Sequence, residues 1–409
     1  MRKYDLIVVG AGAAGLIAAG KAAERGKEVL LLEKNEQVGK KILMTGKGRC
    51  NLTNDCEIEE MIKNFPETGK FLYSALYSFS NWQLRSFFAD LGVETKVERG
   101  DRVFPVSDSA ADVVKALERY IKEAGVELKL QAKVETILAK EEKVRGVKLD
   151  SGREFEAEHV LLALGGKAYP STGSAGDGYQ MAKDLGHSIT PIKPSLVPLE
   201  TREDWVREAQ GLNLRNVRAT LIADGEELAD EFGEMLCTHF GVSGPIVLTL
   251  SRRAVEHLDK DVKLSINLKP ALSLEKLDSR LQRDFAKYSR KQFKNSLGDL
   301  LPRKLIPVII DLSSIAADKF VHQITTEERE ELIELLTNLE LTITGTRGFR
   351  EAIVTAGGVD TGEINPSTME SKLLEGLYFA GEVIDIDGYT GGFNLQAAFS
   401  TGYVVGSVV

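Results

Sequence analysis

This 409-residue chain predicts an α/β fold, built on a parallel sheet and interrupted by a β-rich insertion, and three observations carry that expectation. An apolar run, Leu6-Ile7-Val8-Val9, leads directly into Gly10-Ala11-Gly12-Ala13-Ala14-Gly15 and then an Ala-rich helical stretch over 16–23. A second glycine signature, Gly391-Gly392-Phe393-Asn394-Leu395-Gln396, opens a helical segment near the other end. Between them, three prolines within 191–198 mark a compositional break. Strand, tight turn and helix in that order are what a Rossmann-like nucleotide fold requires, and the two signatures together suggest one dinucleotide site drawn from both ends of the sequence.

The first element justifies itself residue by residue. Gly10 permits the tight turn, Gly12 lets the backbone approach a pyrophosphate, and Gly15 lets helix and strand pack closely. The amides at the helix start, including those of Ala13 and Ala14, then face the phosphates. A second strand over 28–32 ends at Glu33, eighteen residues beyond Gly15. A carboxylate there accepts hydrogen bonds from a ribose 2′-OH and repels a 2′-phosphate, which favours FAD or NAD over NADP. A basic, apolar N-terminus also fits a secretory signal, but the charged Glu24-Arg25-Gly26-Lys27 and the strand that follows suit a βαβ unit better.

The segment after Glu33 is dense in glycine and lysine, with Gly39-Lys40-Lys41 and Thr45-Gly46-Lys47-Gly48-Arg49-Cys50-Asn51. Its glycines allow close backbone approach and its cations offer charge to phosphate, so it reads as a cofactor-embracing loop, with a mobile basic surface loop as the alternative. Residues 71–124 are mostly helical in pattern, and short strands over 127–130, 134–138, 144–149 and 154–156 suggest a small antiparallel layer. A buried strand over 160–164 ends in Gly165-Gly166, and its turn is expected at the same nucleotide. Candidate contacts therefore extend to Lys34, Lys41, Gly48, Cys50, Val134, Ala163 and Gly165. The glycine-rich 171–178 lacks the spacing for a second dinucleotide fold.

Beyond the proline break, strand-like runs at 196–199, 217–222, 234–238 and 262–268 give the insertion its β character. The pattern turns helical over 273–339, and 341–344 and 351–355 are expected as strands leading back to the first domain. We assign 1–190 and 351–409 to the nucleotide-binding domain, 191–272 with 340–350 to the insertion, and 273–339 to a helical subdomain. Near the end, an apolar strand over 377–380 runs into Gly381-Glu382, where a carboxylate suits a ribityl hydroxyl. The helix opened by Gly392 presents free amides suited to the N1 and O2 edge of a flavin, which becomes negative on reduction.

Bulk properties narrow the function. A hydrophobic fraction of 43% supports two or three buried cores, and no apolar run reaches the length of a membrane span. Cys50, Cys56 and Cys237 form no CxxC pair, which disfavours a zinc site and a redox-active disulfide and suits a reducing cytoplasm. A net charge of −9 argues against global nucleic-acid affinity. A local basic patch exists nonetheless: Arg280, Arg283, Lys287, Arg290, Lys291 and Lys294 fall on one helical face at about 100° per residue. That face is either solvated or a grip for an anionic partner such as RNA.

The combination of GxGxxG, Glu33, the TGKGRCN of Thr45–Asn51, a late Ala-Gly381-Glu382 and the terminal TGGFNLQAAFSTG resembles the YhiN/BaiN-type, aminoacetone-oxidase-like FAD-binding oxidoreductases. These lie within the glutathione-reductase-like flavoproteins. The resemblance covers nearly the whole chain and includes Glu234–Pro245 and Val354–Val359. It implies a Rossmann-like FAD-binding domain with an inserted β-barrel-like domain and a small helical subdomain. It also implies cofactor contacts at Gly10, Gly12, Gly15, Glu33, Thr45, Arg49, Asn51, Gly381, Glu382, Gly392, Phe393, Asn394, Leu395 and Gln396.

The resemblance further implies oxidoreductase chemistry on a small molecule: NAD(P)H-linked reduction of an activated C=C bond, with NADH or NADPH docking transiently because no second fingerprint is visible. Its members are also associated with uridine reduction in rRNA and with amine oxidation of an aminoacetone kind, and a non-catalytic flavin redox sensor is the alternative outside enzymes. Reduction of a C=C bond needs an acid beside the flavin. Cys50, Tyr389 and His239 are the candidates, set against structural roles as a packed small residue, a loop aromatic and a satisfied histidine. No metal ligand set is expected.

Overall fold

The computed structural model describes residues 3–409, which divide into two compact units: one runs to Ser195 and resumes at Phe349, the other is Leu196–Gly348. The first unit is organised by a seven-stranded sheet. Its central strand, Lys3–Val9, lies between Val29–Leu32 and Glu154–Leu162, parallel to both. Leu6, Ile7 and Val8 are fully buried, as expected of a parallel strand covered on both faces. Leu377–Phe379 adds in parallel beside Glu154–Leu162, which brings the last part of the sequence against the first.

The small antiparallel layer expected over 127–156 is corrected at its first strand, and the rest of it belongs to this same sheet. Glu127–Lys129 pairs in parallel with Val29–Leu32, and the runs at 154–156 and 160–164 form one strand, Glu154–Leu162. The other three expected strands are antiparallel neighbours: Lys143–Leu149 pairs antiparallel with Val134–Lys140 on one side and with Glu154–Glu156 on the other, and they extend the same sheet. Glu154–Leu162 alternates polar and buried residues in its first half and is wholly buried in its last three, because its two halves meet different neighbours. A small sheet of Thr53–Asn54, Arg102–Pro105 and Thr95–Glu98 stands apart, and Lys193–Ser195 pairs with Val354–Ala356.

Two helices, Ala13–Glu24 and Phe393–Val408, pack at unusually close range. A Cβ at Gly402 would lie 2.3 Å from the carbonyl oxygen of Ala14, and one at Gly406 2.6 Å from that of Ala18. Small residues at these positions let the backbones touch, and this contact sets both helix N-termini at the same end of the sheet.

The second unit is a closed six-stranded barrel ordered Leu199–Thr201, Gly241–Ser243, Glu226–Cys237, Asn213–Ala223, Val262–Asn267 and Leu339–Thr346. Leu339–Thr346, whose run at 341–344 is expected as a strand on the way back to the first domain and assigned to the insertion, pairs with Val262–Asn267 and Leu199–Thr201 and closes the barrel. Leu277, Leu281 and Phe285 of the helix Leu274–Lys287 bury into the barrel's own core. That helix stops at Tyr288, so Arg290, Lys291 and Lys294 follow it and do not share one helical face with Arg280 and Lys287.

Candidate functional site

At the C-terminal edge of the parallel strands, Gly10 adopts φ +104°, and a Cβ there would strike the carbonyl oxygen of Ala163 at 2.5 Å. Gly15 sits so close to the turn that a Cβ would lie 1.9 Å from the Gly10 oxygen, whereas a Cβ at Gly12 would meet nothing within 4 Å. The fingerprint thus holds two glycines for packing and one facing open space. Gly12 caps Ala13–Glu24 through extended backbone with no side-chain bond, leaving the first-turn amides to an external acceptor.

Glu33 is 7% exposed and held by three donors: the amide of Ala11 on Oε2 at 2.9 Å, and the amide and Nδ2 of Asn35 on Oε1 at 2.8 and 2.7 Å. A carboxylate offers about four acceptor positions. One therefore remains for a ribose hydroxyl.

The Thr45–Asn51 loop is shaped by backbone rather than by charge. Gly46, Lys47 and Cys50 are all left-handed, and the Cys50 amide donates to Thr45 O at 3.0 Å. Arg49 is spent on carboxylates: its guanidinium bonds Glu98 and Asp108 and lies 4.1 Å from the Phe104 ring centre. Lys34 likewise pairs with Asp177 at 2.5 Å and Lys41 with Glu382 at 2.6 Å. Three of the cations expected at the cofactor, Lys34, Lys41 and Arg49, thus already have carboxylate partners. Asn51 Oδ1 is buried without a partner. Cys50 is fully buried, and burial pushes its thiol up to about 12, so it keeps its proton.

The two signature loops meet through Asn54. Its Nδ2 donates to the carbonyls of Gly391 at 3.2 Å and Gly100 at 3.0 Å. Gly392, at φ +101°, caps Phe393–Val408 with no side-chain bond, and a Cβ there would strike Thr53 O at 2.3 Å. Asn394 closes the preceding turn by accepting from Gly388 N at 2.8 Å and donating to Gly388 O at 2.7 Å. Phe393 is buried and Leu395 half-buried. Gln396 is turned inward, fully buried, with Nε2 on Phe79 O at 2.9 Å.

Glu382 Oε1 accepts from Thr355 N at 2.7 Å, and the Gly381 amide donates to Thr401 Oγ1 at 3.0 Å. Gly165 and Gly166 turn beside this cluster, where a Cβ on Gly166 would lie 2.9 Å from Glu382 Oε1. Val134 is buried at the start of its strand, which follows the segment whose Ala132 amide donates to Glu33 O. Tyr389 is half-buried and held by its amide on Asn64 O at 2.9 Å. His239 is exposed on the barrel unit, its ring edge-on to Phe240. Asn35, Asn54, Thr355 and Asp177 escaped the sequence reading. Asn54 directly follows the TGKGRCNLT run, whereas Asp177 and Thr355 carry no local signal.

These residues fit FAD: two uncapped helix N-termini, the open space at Gly12, a spare acceptor on Glu33 and the unpartnered Asn51 oxygen are what an extended dinucleotide would satisfy. Among the described residues no helix is long and apolar enough to cross a membrane.

Comparison with known proteins agrees. Over 405 residues the chain is 36% identical to the 3-dehydro-bile acid delta(4,6)-reductase of Clostridium scindens, covering 98% of this chain and 97% of the relative. Over 404 residues it is 33% identical to the ribosomal RNA dihydrouridine synthase of Escherichia coli, again covering 98% and 97%. Among solved structures, a flavocytochrome c3 fumarate reductase in its open conformation matches with a TM-score of 0.55 at 18% identity, covering 99% of this chain and 78% of that one, a likeness of fold. The family described as HI0933-like protein Rossmann domain matches residues 4–408; the chain belongs to that family and is an FAD-dependent oxidoreductase.

Proposed function

We propose that this enzyme reduces a carbon–carbon double bond conjugated to a carbonyl in a small molecule, with NADH or NADPH as transient reductant. One observation carries the reading: relatives matched over nearly their full length are named for reactions that share this chemistry. A 3-dehydro-Δ4,6 steroid is a conjugated enone, and the 5,6 bond of uridine is conjugated to its C4 carbonyl.

FAD, when bound, supplies hydride transfer at N5. The chain supplies the rest. The uncapped amides at the start of Phe393–Val408 favour negative charge at the pyrimidine edge of the flavin. The Asn394 clamp holds the 388–391 turn rigid against that helix. Tyr389, on this turn and half-exposed, is the residue we assign to hold the proton for the substrate carbon at its hydroxyl. Cys50 lacks exposure for that task.

A second reading takes the uridine of an RNA as the acceptor. Arg283, Arg290, Lys291 and Lys294 are exposed and have no carboxylate within ion-pair distance among the described residues, while Arg280 and Lys287 pair with Asp284 and Asp299. Exposed cations without carboxylate partners, close in sequence, suit phosphates.

Anaerobic bleaching of the purified yellow protein by NADH and NADPH, followed by re-oxidation against a 3-oxo-4-ene steroid, an amine-derived imine and rRNA, tests both. Re-oxidation by the enone alone supports the first reading. Re-oxidation by rRNA, lost when Arg283, Arg290 and Lys291 are reversed to Glu, supports the second. Failure of both nicotinamides to bleach the flavin overturns the NAD(P)H linkage and points to amine oxidation or a protein donor.

A further inference from the structure

The residue that follows Glu33 is engaged in an ion pair. Lys34 Nζ meets Asp177 Oδ2 at 2.5 Å, with the two side chains 20% and 30% exposed. Beside it, Asn35 Nδ2 donates both to Glu33 Oε1 at 2.7 Å and to the carbonyl of Thr172 at 3.2 Å. Asn35 thus bridges the buried carboxylate to the 170–177 loop.

That loop is laid directly on residues 34–35. A Cβ at Gly173, which sits at φ +103°, would lie 2.5 Å from Asn35 Nδ2 and 3.3 Å from Lys34 Cε, so a larger residue would displace the Asn35 amide from this contact. The loop is anchored at its other end by the Gly176 amide on Gly166 O at 3.1 Å. On the opposite side, the amides of Gln131 and Ala132 donate to Asn35 O and Glu33 O at 3.0 and 2.9 Å. The end of the second strand is therefore gripped from two sides: by ordinary backbone bonds from 131–132, and by a glycine-rich strap fastened through one ion pair and one side-chain amide.

We propose that Asp177 is a positioning residue of the cofactor site: through Lys34 it fastens the 170–177 strap over the adenosine end of bound FAD and slows the cofactor's escape. The proposal rests on FAD lying with its ribose at Glu33. It differs from a direct role for Lys34 on phosphate, which would need no partner at 177. It also differs from a simple helix-end role for Asp177 in Asp177–Asp184, which would need no partner at 34.

The test is the rate at which FAD fluorescence appears after dilution of the holoprotein, for Lys34→Ala, Asp177→Ala, the double variant and the exchanged pair Lys34→Asp with Asp177→Lys. We expect each single change to speed release about fivefold, the range of a partly exposed ion pair, the double change to add nothing further, and the exchanged pair to restore slow release. Release from the wild type should accelerate with added salt, while Asp177→Ala should not respond, since screening acts on the pair. Faster release in Lys34→Ala with an unchanged Asp177→Ala would mean that Lys34 touches the cofactor itself and would overturn the proposal. A lowered melting temperature without faster release in Asp177→Ala, or normal release in every variant, would overturn it equally. If the wild type retains no flavin at all, the failure lies with the cofactor assignment, a result distinct from any of these.

Discussion

The side-chain amide of Asn54 donates to the carbonyl of Gly391 across 3.2 Å of space and 337 residues of sequence. This bond ties the loop that follows the first βαβ unit to the turn that opens the last helix. Asn54 is 5% exposed, and its Oδ1 also accepts from the amide of Cys56 at 3.2 Å. Replacing Asn54 by Ala strips buried partners from three backbone groups. We expect a loss of about 1–3 kcal/mol in stability together with weaker flavin retention, measured by urea denaturation and by equilibrium dialysis of FAD.

The two inner glycines of the fingerprint should separate folding from binding. Gly15→Ala places a methyl 1.9 Å from a backbone oxygen, and the strain should cost about 1–3 kcal/mol or more of stability. Gly12→Ala meets nothing in the protein, so the apoprotein should melt as the wild type does while FAD affinity falls at least about tenfold, equivalent to about 1.4 kcal/mol. Calorimetry on the apoproteins and flavin titration on both variants would distinguish them. Equal FAD affinity in Gly12→Ala and wild type would mean that no cofactor atom approaches that position.

His187 gives the first unit a defined pH response. Ser371 Oγ accepts from the amides of Leu373 and Leu374, each at 3.0 Å, so its hydrogen goes to His187 Nε2 at 2.8 Å. Burial, the leading cause, lowers the imidazole below its ordinary 6.5, and a protonated ring would turn an N–H toward an oxygen with no lone pair free. The unfolded chain thus takes up a proton that the folded chain refuses. The contribution is full above 6.5 and is lost as the pH falls towards the folded value, at a slope of up to about 1.4 kcal/mol per pH unit. His187→Gln should flatten the difference between denaturation curves at pH 7.5 and 5.5; an unchanged slope would refute the assignment.

The three cysteines should resist alkylation in the native state. Burial leads the rise of Cys50 to about 12 and of Cys56 and Cys237 to about 11, leaving about one part in a thousand or less as thiolate at pH 8. Iodoacetamide labelling followed by mass spectrometry should show modification only after denaturation. We also expect Cys50→Ser to keep turnover, whereas Tyr389→Phe should slow re-oxidation by the acceptor without slowing bleaching by the donor.

Features set by neighbouring residues were legible in the sequence. The GxGxxG turn declares itself because its spacing follows local needs, a positive φ at Gly10 and the contact of Gly15 with the Gly10 oxygen, and Leu6–Val9 declares itself because that part of the strand is buried on both faces and apolar throughout. The C-terminal Gly391-Gly392 is as plain, since a helix opening on left-handed backbone needs glycine. The barrel's long strands were visible only as fragments, because in Glu226–Cys237 only Met235 and Cys237, at its end, are buried, and its polar start carries no strand signal of its own.

What the sequence by itself determined is the local chemistry: a phosphate-type turn, a carboxylate eighteen residues beyond it, and a second helix start with open amides. Which cations stay free for a ligand was decided only by tertiary structure. Lys34, Lys41 and Arg49 stand as cofactor contacts in the sequence, yet each meets a carboxylate brought from 49 to 341 residues away. The joining of the two glycine signatures through Asn54 and the strap held by Asp177 belong to the same class. An ion pair or a backbone contact at long range depends on how strands stack and helices cross, and no periodicity or spacing in the chain encodes the distance between such partners.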